Sequence, residues 1–538
     1  MPVKSPHGIL DIPEVPLSDF FLSRIKEYGD ETAMIDNTVE GKQLTFRQLY
    51  KQIQSCGRFI QKQGIHKGDV VGLIVPNCLE YVIAMMGVIS CGAVISPCNP
   101  SYKEGEMQHI FKITEPKILI VSDKTIDVVK RVVEKSKSIR KIIVIGKSDE
   151  FETWDEGIAA NEKEQEALVL NFEISAKDDL AILPYSSGTT GMPKCVMHTH
   201  YSMIATLLTC WYNNDYKKGE TFYNERPMFH AGGYLFVLMS LQGGLRVVMD
   251  REFDVERTLA AIQNYQVNHF IMVPPIMLEM SQTDLNKKYD TSSWKTSLTG
   301  GASIPTSIMK AVSERFNINM FPGYGMTEFT PMSINDNVQS FADSDGSICS
   351  NVEMMIVDSN TGMELKSGED GEILVKGPQM TKGYYRNREA TEQTINKNGF
   401  LHTGDIGHIQ NNMVYVVGRL KEVIKYKTFQ VTPAEIENIL LRHPGVSDAG
   451  VVGIPDQLCG ELPKALVVRK LSSVNSDELL ELIKRELVDY KQLRGGIQFV
   501  DKIPKSKMGK IDRTELKKNG YNELTTNCEG IQIVAEIL

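Results

Sequence analysis

Short apolar runs alternate with helix-period stretches over the first two-thirds of the chain. Residues 69–76 (DVVGLIVP) read as a buried strand, and 80–90 (EYVIAMMGVIS) as the helix that follows. Residues 93–98 give the next strand. Strands at 117–122 and 141–146 bracket a helix at 127–135. Strands at 244–250 and 269–273 are followed by helices at 255–265 and 275–281. This βα alternation predicts parallel sheets with helices on both faces. Ligands in such sheets sit at the carboxyl ends of the strands. The strand 180–184 (LAILP) ends directly at a Ser/Thr/Gly-rich loop, which is that position.

From about Ile348 the texture changes. Short alternating strands at 352–358, 372–377 and 413–418 are separated by Gly/Asn/Asp turns, which predicts a small antiparallel or barrel-like unit. Beyond Gly418, charged helices (433–441, 476–490) flank strands at 446–453 and 464–469. They form a separate α+β unit of ordinary domain size. The expected fold is therefore α/β with α+β. A large N-terminal part at 1–420 carries the sheets to about 347 and the β-rich unit at about 348–418. A small C-terminal part spans 421–538.

Length and composition narrow the class. At 538 residues the chain needs several folding units. With 42% apolar and 24% charged residues and mean hydropathy −0.20, it has a globular composition. A net charge of −9 gives no basis for nucleic-acid binding. No apolar run reaches membrane-spanning length. Nine scattered cysteines without CxxC pairs fit free thiols. There is no N-terminal apolar leader and no C-terminal Ser-Lys-Leu, so the expected compartment is the cytoplasm.

The loop after that strand, YSSGTTGMPK, holds Ser186, Ser187, Gly188, Thr189, Thr190, Gly191 and Lys194. Glycines let backbone N–H groups approach phosphate, hydroxyls add donors, and lysine adds charge. A Walker P-loop fits poorly and is the remotest reading, and an ordinary Ser/Thr/Gly-rich surface loop is a further alternative for this segment alone. Met192 and Pro193 separate Gly191 from Lys194, and Cys195 stands where the magnesium-binding hydroxyl belongs.

Five further segments carry site-like chemistry: Thr299-GGAS, Gly323-YGMTE, Thr403-GD, Gly418-RLKEVIKYKTFQ and Pro504-KSKMGKIDR. Together with the loop, and with Pro227-MFH and His443-PGV, their order resembles the adenylate-forming superfamily of acyl-CoA synthetases, 4-coumarate:CoA ligases and firefly luciferase. The resemblance runs from Leu44 to Arg513.

It implies a two-step reaction. A carboxylic acid attacks ATP to give an acyl-adenylate and pyrophosphate, and coenzyme A then takes the acyl group. It also implies a C-terminal domain that rotates about a hinge at Lys421. By motif match, the loop would hold the β- and γ-phosphates, and Thr327 the α-phosphate. Glu328 would hold Mg²⁺. Tyr324 and Gly325 would flank the adenine, and Gly300, Gly301 and Ala302 would pass close to the adenylate. Asp405 and Arg419 would meet the ribose. Lys421, Lys425 and Gln430 would make nucleotide or second-step contacts. Lys510 would bridge the carboxylate and the α-phosphate, and His230 would stand at the acyl carboxylate.

Gly232 replaces an aromatic found in aryl-activating relatives, which points to a roomier pocket and a medium- or long-chain fatty acid. Aryl acids, or an acceptor other than coenzyme A, are the alternatives. Two family glycines are missing, at Cys195 and Thr428. The second lies in the loop that serves thioester formation, so a weakly active binding relative is a further reading. The expected partners are these small molecules alone, with a monomer or homodimer as the assembly.

Overall fold

The computed structural model describes residues 2–162, 172–186, 193–214, 216–300, 306–334, 344–427, 429–456, 459–487, 489–505 and 510–521. The first sheet has seven strands, ordered His198–Thr199, Leu180–Ile182, Val94–Pro97, Val70–Ile74, Ile118–Ser122, Lys141–Ile145 and Glu152–Thr153. All pair in parallel except the first, which is antiparallel to Leu180–Ile182. Every residue of Val70–Ile74 and Ile118–Ser122 is buried. Strands covered on both faces read as continuous apolar runs, which is why the sequence shows them plainly.

The second sheet has fourteen strands. Its parallel half runs from Thr32–Asp36 through Arg246–Met249, Thr221–Asn224, His269–Met272 and Thr296–Thr299 to Asn319–Met326. Asn319–Met326 then pairs antiparallel with Phe329–Ile334. From there the antiparallel half continues through Ser347–Ile348, Met413–Arg419, Leu401–Gln410, Gly371–Lys376 and Glu353–Val357 to Val3–Lys4. The β-rich unit is thus antiparallel as expected, and it is an extension of the parallel sheet. It also draws in Phe329–Ile334 and the N-terminal strand. The switch from parallel to antiparallel falls on the segment that carries Tyr324, Gly325, Thr327 and Glu328.

The helix Ala231–Gln242 escaped the periodicity reading. Every residue from Gly233 to Gln242 is buried, so it has no polar face to reveal a helical period. Its apolar side chains contribute roughly 1.5–3 kcal/mol each where fully buried.

The C-terminal unit has its own core, including Ile424, Tyr426, Ile436, Leu440, Val451 and Val467. Its sheet runs Phe429–Val431, Ile424–Tyr426, Gly460–Arg469 and Val446–Asp456, with Ile497–Phe499 parallel to Gly460–Arg469. The helices Pro433–Leu441 and Ser476–Glu486 pack on that core. A short 3₁₀ segment, Leu420–Glu422, connects it to Met413–Arg419. Among the described residues no helix is long and apolar enough to cross a membrane.

Candidate active site

Tyr185–Ser186 and Lys194–Cys195 form a two-stranded ladder that closes the base of the Ser/Thr/Gly loop, with Ser186 opposite Lys194. Ser187, Gly188, Thr189, Thr190 and Gly191 lie outside the described residues, as do Gly301, Ala302 and Thr428. Cys195 is buried and is not among the residues with positive φ, so a side chain is accommodated where the family resemblance implies glycine. The Lys194 ammonium lies 5.0 Å from the centre of the Tyr384 ring, a cation–π contact.

Glu328 stands at the centre of this region and is buried. Its Oε1 accepts hydrogen bonds from Ser186 Oγ (2.7 Å) and from the Tyr384 hydroxyl (2.8 Å). The neighbouring Thr327 carbonyl accepts from His198 Nε2 at 2.8 Å, and the Glu328 carbonyl accepts from Thr381 N at 2.8 Å. The turn that presents Thr327 and Glu328 is therefore held by its backbone. Among the described residues no three His, Cys, Asp or Glu side chains cluster as a metal cage.

A second group assembles across Met413–Arg419 and Leu401–Gln410, where Asp405 and Arg419 are cross-strand partners. Asp405 Oδ2 accepts from the Tyr324 hydroxyl at 2.7 Å, and Oδ1 lies 3.4 Å from Arg419 Nε. Burial raises the Asp405 carboxyl above the usual aspartate range, while Arg419, Tyr324 and Lys510 pull it back. Gly300 is required by packing. A Cβ there would stand 2.6 Å from the Gly323 carbonyl oxygen, because the two strands run close together at this end. Gly325 is less constrained, with Thr330 Oγ1 at 3.2 Å from the corresponding point.

Lys510 comes from the far C-terminal unit and reaches this group. An antiparallel bridge between Lys505 and Ile511 anchors its segment, and Arg513 holds the next turn. Lys510 keeps solvent access, yet its ammonium is pushed below the ordinary lysine value by desolvation and by Arg419, with Asp405 and Glu422 opposing. Raising the pH removes that proton at a lower pH than in a free lysine. Any step that depends on the Lys510 ammonium should therefore decline on an alkaline limb centred below 10.5, the ordinary value. A pH profile of ATP–pyrophosphate exchange with no decline until beyond that value would refute it.

His230 caps the helix Ala231–Gln242, its carbonyl accepting from Gly233 N at 2.8 Å. Burial, with Arg226 and Lys510 adding, holds its imidazole down to about 4, so the ring is neutral at physiological pH. It can orient an oxygen by hydrogen bonding but supplies no charge.

The structure does not bring every predicted residue to this place. Lys421 is exposed in the connecting 3₁₀ segment. Lys425 is exposed on the C-terminal sheet, where it pairs with Gln430. The described contacts of Lys425 are within the C-terminal unit, its N–H donating to Glu461 Oε2 at 2.8 Å.

Gly232 also departs from expectation, because the space beside it is occupied. A Cβ at Gly232 would meet Arg226 Nη2 at 2.7 Å. Arg226 was missed in the sequence. Its signal was a charged pair, Glu225-Arg226, directly after the apolar strand Thr221–Asn224. Tyr384 was missed because nothing around it in the sequence marks it as a partner of Glu328.

Known proteins resemble this chain along nearly its full length. Residues 21–385 match the AMP-binding enzyme family, and 435–510 match the AMP-binding enzyme C-terminal domain. A protein named 4-coumarate-CoA ligase 1 from Narcissus pseudonarcissus is 32% identical over 517 residues, covering 94% of this chain and 93% of its own. 4-coumarate--CoA ligase 1 from Petroselinum crispum is 34% identical over 520 residues, covering 94% of each chain. Among solved structures, ATP-bound MatB from Rhodopseudomonas palustris superposes with a TM-score of 0.84 at 23% identity, covering 94% of this chain and 99% of that one. The Mycobacterium tuberculosis fatty acyl CoA synthetase gives 0.74 at 25% identity, covering 94% and 98%. The chain belongs to the AMP-binding enzymes, the adenylate-forming superfamily of acid-activating ligases.

Proposed function

We propose that this chain is an AMP-forming acid–thiol ligase that joins a carboxylic acid to coenzyme A through an acyl-adenylate. The observation that carries this reading is the arrival of Lys510, from a separate unit, beside Asp405 and Arg419. Adenylation brings two anions together, a carboxylate and a triphosphate. The site must supply positive charge, fixed in place before reaction. Lys510 meets that need, with Asp405 and Arg419 at the ribose and Tyr324 at the base. Thr327 faces the α-phosphate, and Ser186 and Lys194 flank the triphosphate loop.

Magnesium fits this site through Glu328. The ion takes one or two carboxylates and completes its shell with phosphate oxygens and water. A single buried carboxylate whose Oε2 accepts no hydrogen bond from the described residues matches that demand. Bound there, it would neutralise part of the triphosphate charge.

The finer question is the acid. Gly232, taken as a sequence position alone, points to a medium- or long-chain aliphatic acid. The Arg226 guanidinium beside that glycine weighs against it, since packing an apolar chain on a guanidinium removes its water without return. We favour a compact, polar acid. A 4-coumarate-like aryl acid is the second reading, supported by the names of the relatives at 32–34% identity. Pyrophosphate release across a panel of aliphatic, aryl and polar acids, with and without coenzyme A, tests both. Sustained release that requires coenzyme A supports the ligase. Slow release that ignores it indicates an adenylate passed to another acceptor, and no release with any acid indicates a binding protein.

The thioester step carries its own prediction. Tyr426 and Phe429 pair across a two-residue connection whose first residue, Lys427, has φ +53°. Hairpins of that length favour turns in which glycine serves the second central position as well. Relatives carry glycine at the position of Thr428. Thr428→Gly should speed acyl transfer to coenzyme A and leave ATP–pyrophosphate exchange unchanged. Equal transfer rates in the two proteins would remove the idea that Thr428 slows this enzyme.

A further inference from the structure

Arg226 stands at the edge of the site, and among the described residues its guanidinium has no hydrogen-bond partner and a single acid, Glu225, acting on it. It follows the strand Thr221–Asn224, on the carboxyl edge of the parallel sheet. Its backbone is held from two sides. Asn77 Nδ2 donates to the Arg226 carbonyl (2.9 Å) and to the Asp250 carbonyl (2.9 Å), while Asn77 Oδ1 accepts from Met228 N (2.8 Å). Asn224 Nδ2 donates to the same Arg226 carbonyl at 3.1 Å. The side chain therefore starts from a fixed point.

The guanidinium lies over the first turn of the helix Ala231–Gln242. An ideal Cβ on Gly232 would stand 2.7 Å from Nη2 and 2.9 Å from Cζ. Helix N-termini carry partial positive charge and unsatisfied N–H groups, so a cation placed there is repelled. His230, the cap of this helix, feels both Arg226 and Lys510. Lys510 is grouped with Asp405, Arg419 and Glu422. Arg226 lies against Gly232 and acts electrostatically on Glu225, His230 and Lys510.

Among the described residues the Arg226 guanidinium makes no hydrogen bond. The one acid beside it, Glu225, is 5% exposed, and its Oε2 also lacks a hydrogen-bond partner. Burial pushes the Glu225 carboxyl up to about 8, with Arg226 opposing and Asp250 adding, so Glu225 is largely neutral at physiological pH. A guanidinium does not lose its proton in that range. Arg226 is half-buried, and a cation whose neighbouring acid is largely neutral gains from an incoming anion.

We propose that Arg226 reads the acyl side of the substrate, and that the acid activated by this chain carries a second carboxylate which docks on the guanidinium while the first faces Lys510. This inference rests on the ligase reading above and names its substrate class, a short dicarboxylic acid. The planar fork of arginine matches a carboxylate through two parallel hydrogen bonds, which a hydroxyl or an aromatic ring cannot reproduce. The missing side chain at Gly232 fits the same logic, since a larger residue there would displace the guanidinium. Shortness follows from the electrostatic contact of Arg226 with both His230 and Lys510.

The test compares butanedioate and pentanedioate with butanoate and pentanoate, reading kcat/KM for pyrophosphate release in the presence of coenzyme A. In the unmodified enzyme each diacid should exceed its monoacid by about 30-fold or more, the scale expected for a desolvated charge pair. Arg226→Leu should abolish or invert that preference by losing the diacids and gaining on the monoacids. Arg226→Lys should keep part of it. If Arg226→Leu fails to fold, Arg226→Gln carries the same comparison. An unaltered preference in the variants overturns the assignment, as does a preference for monoacids in the unmodified enzyme. An equal loss for all four acids also overturns it, because the guanidinium would then serve the reacting carboxylate. No release with any acid, these four or the wider panel, overturns the ligase reading and this inference with it.

Discussion

Lys510→Ala should lower ATP–pyrophosphate exchange by about 10²–10³-fold, the scale of losing one preorganised charge from a transition state. The cause lies in placement. A lysine in water would stabilise the joining of carboxylate and α-phosphate weakly, because solvent screens it. Lys510 is brought instead to a group of buried and partly buried side chains, where Asp405 and Arg419 are already fixed. Acyl transfer to coenzyme A from an adenylate supplied ready-made should change little, since Lys510 has no part in that step on this reading. An exchange rate within about twofold of the unmodified enzyme would remove Lys510 from the catalytic role, because a preorganised charge is worth far more than that. Loss of both half-reactions together would show that the substitution damages the fold.

Arg513→Ala should destabilise the C-terminal unit by about 3–5 kcal/mol, the cost of removing one partner from a buried ion pair. Arg513 Nη1 and Nη2 donate to the two oxygens of Glu437 at 2.6 and 3.0 Å, and Nε donates to Glu422 at 2.8 Å. Nη1 also donates to the Val451 carbonyl at 2.9 Å. Side-chain exposure is 15% for Arg513 and 7% for Glu437, so solvent cannot replace the lost partner. Burial works against the Arg513 charge, but Glu437 and Glu422 more than offset it.

The location gives this cluster a second consequence. Glu422 belongs to the 3₁₀ connection between the two units, and Arg513 lies three residues beyond Lys510. Losing the cluster should loosen the seat of Lys510 as well as the core. Urea unfolding followed by a probe in the C-terminal unit measures the first effect. A loss below about 1 kcal/mol, typical of exposed pairs, would contradict the buried-pair account. Arg513→Met combined with Glu437→Leu should recover part of the stability, since the more deeply buried charge leaves with its partner and only the more exposed Glu422 is left unpaired.

The parallel strands were legible because burial on both faces leaves uninterrupted apolar runs, as at Val70–Ile74 and Ile118–Ser122. The helix Val255–Tyr265 was legible through its polar face and its Asp254 cap, which accepts from Arg257 N at 2.8 Å. The helix Ala231–Gln242 was not, because complete burial erased its period. The continuity of the β-rich unit with the parallel sheet was also hidden. Pairing of Phe329–Ile334 with Asn319–Met326 is a local turn, but attachment of Val3–Lys4 to Glu353–Val357 joins residues more than 340 positions apart. No local pattern encodes such a pairing.

The sequence by itself determined the superfamily and the set of groups available for chemistry: Lys510, Asp405, Arg419, Glu328, Thr327, Tyr324, His230 and the Ser/Thr/Gly loop. It could do so because each motif is a short run whose glycines, hydroxyls and charges have local reasons to stand together. Only the tertiary structure decided which of these share one site and what surrounds them. It placed Tyr324 on Asp405, Ser186 and Tyr384 on Glu328, and Lys510 within reach of both Asp405 and His230. It also filled the space beside Gly232 with a guanidinium. The physical reason is that burial and electrostatic coupling depend on distances through space. Arg226 and Gly232 are near in sequence, yet only the path of the turn between them brings the guanidinium against that glycine.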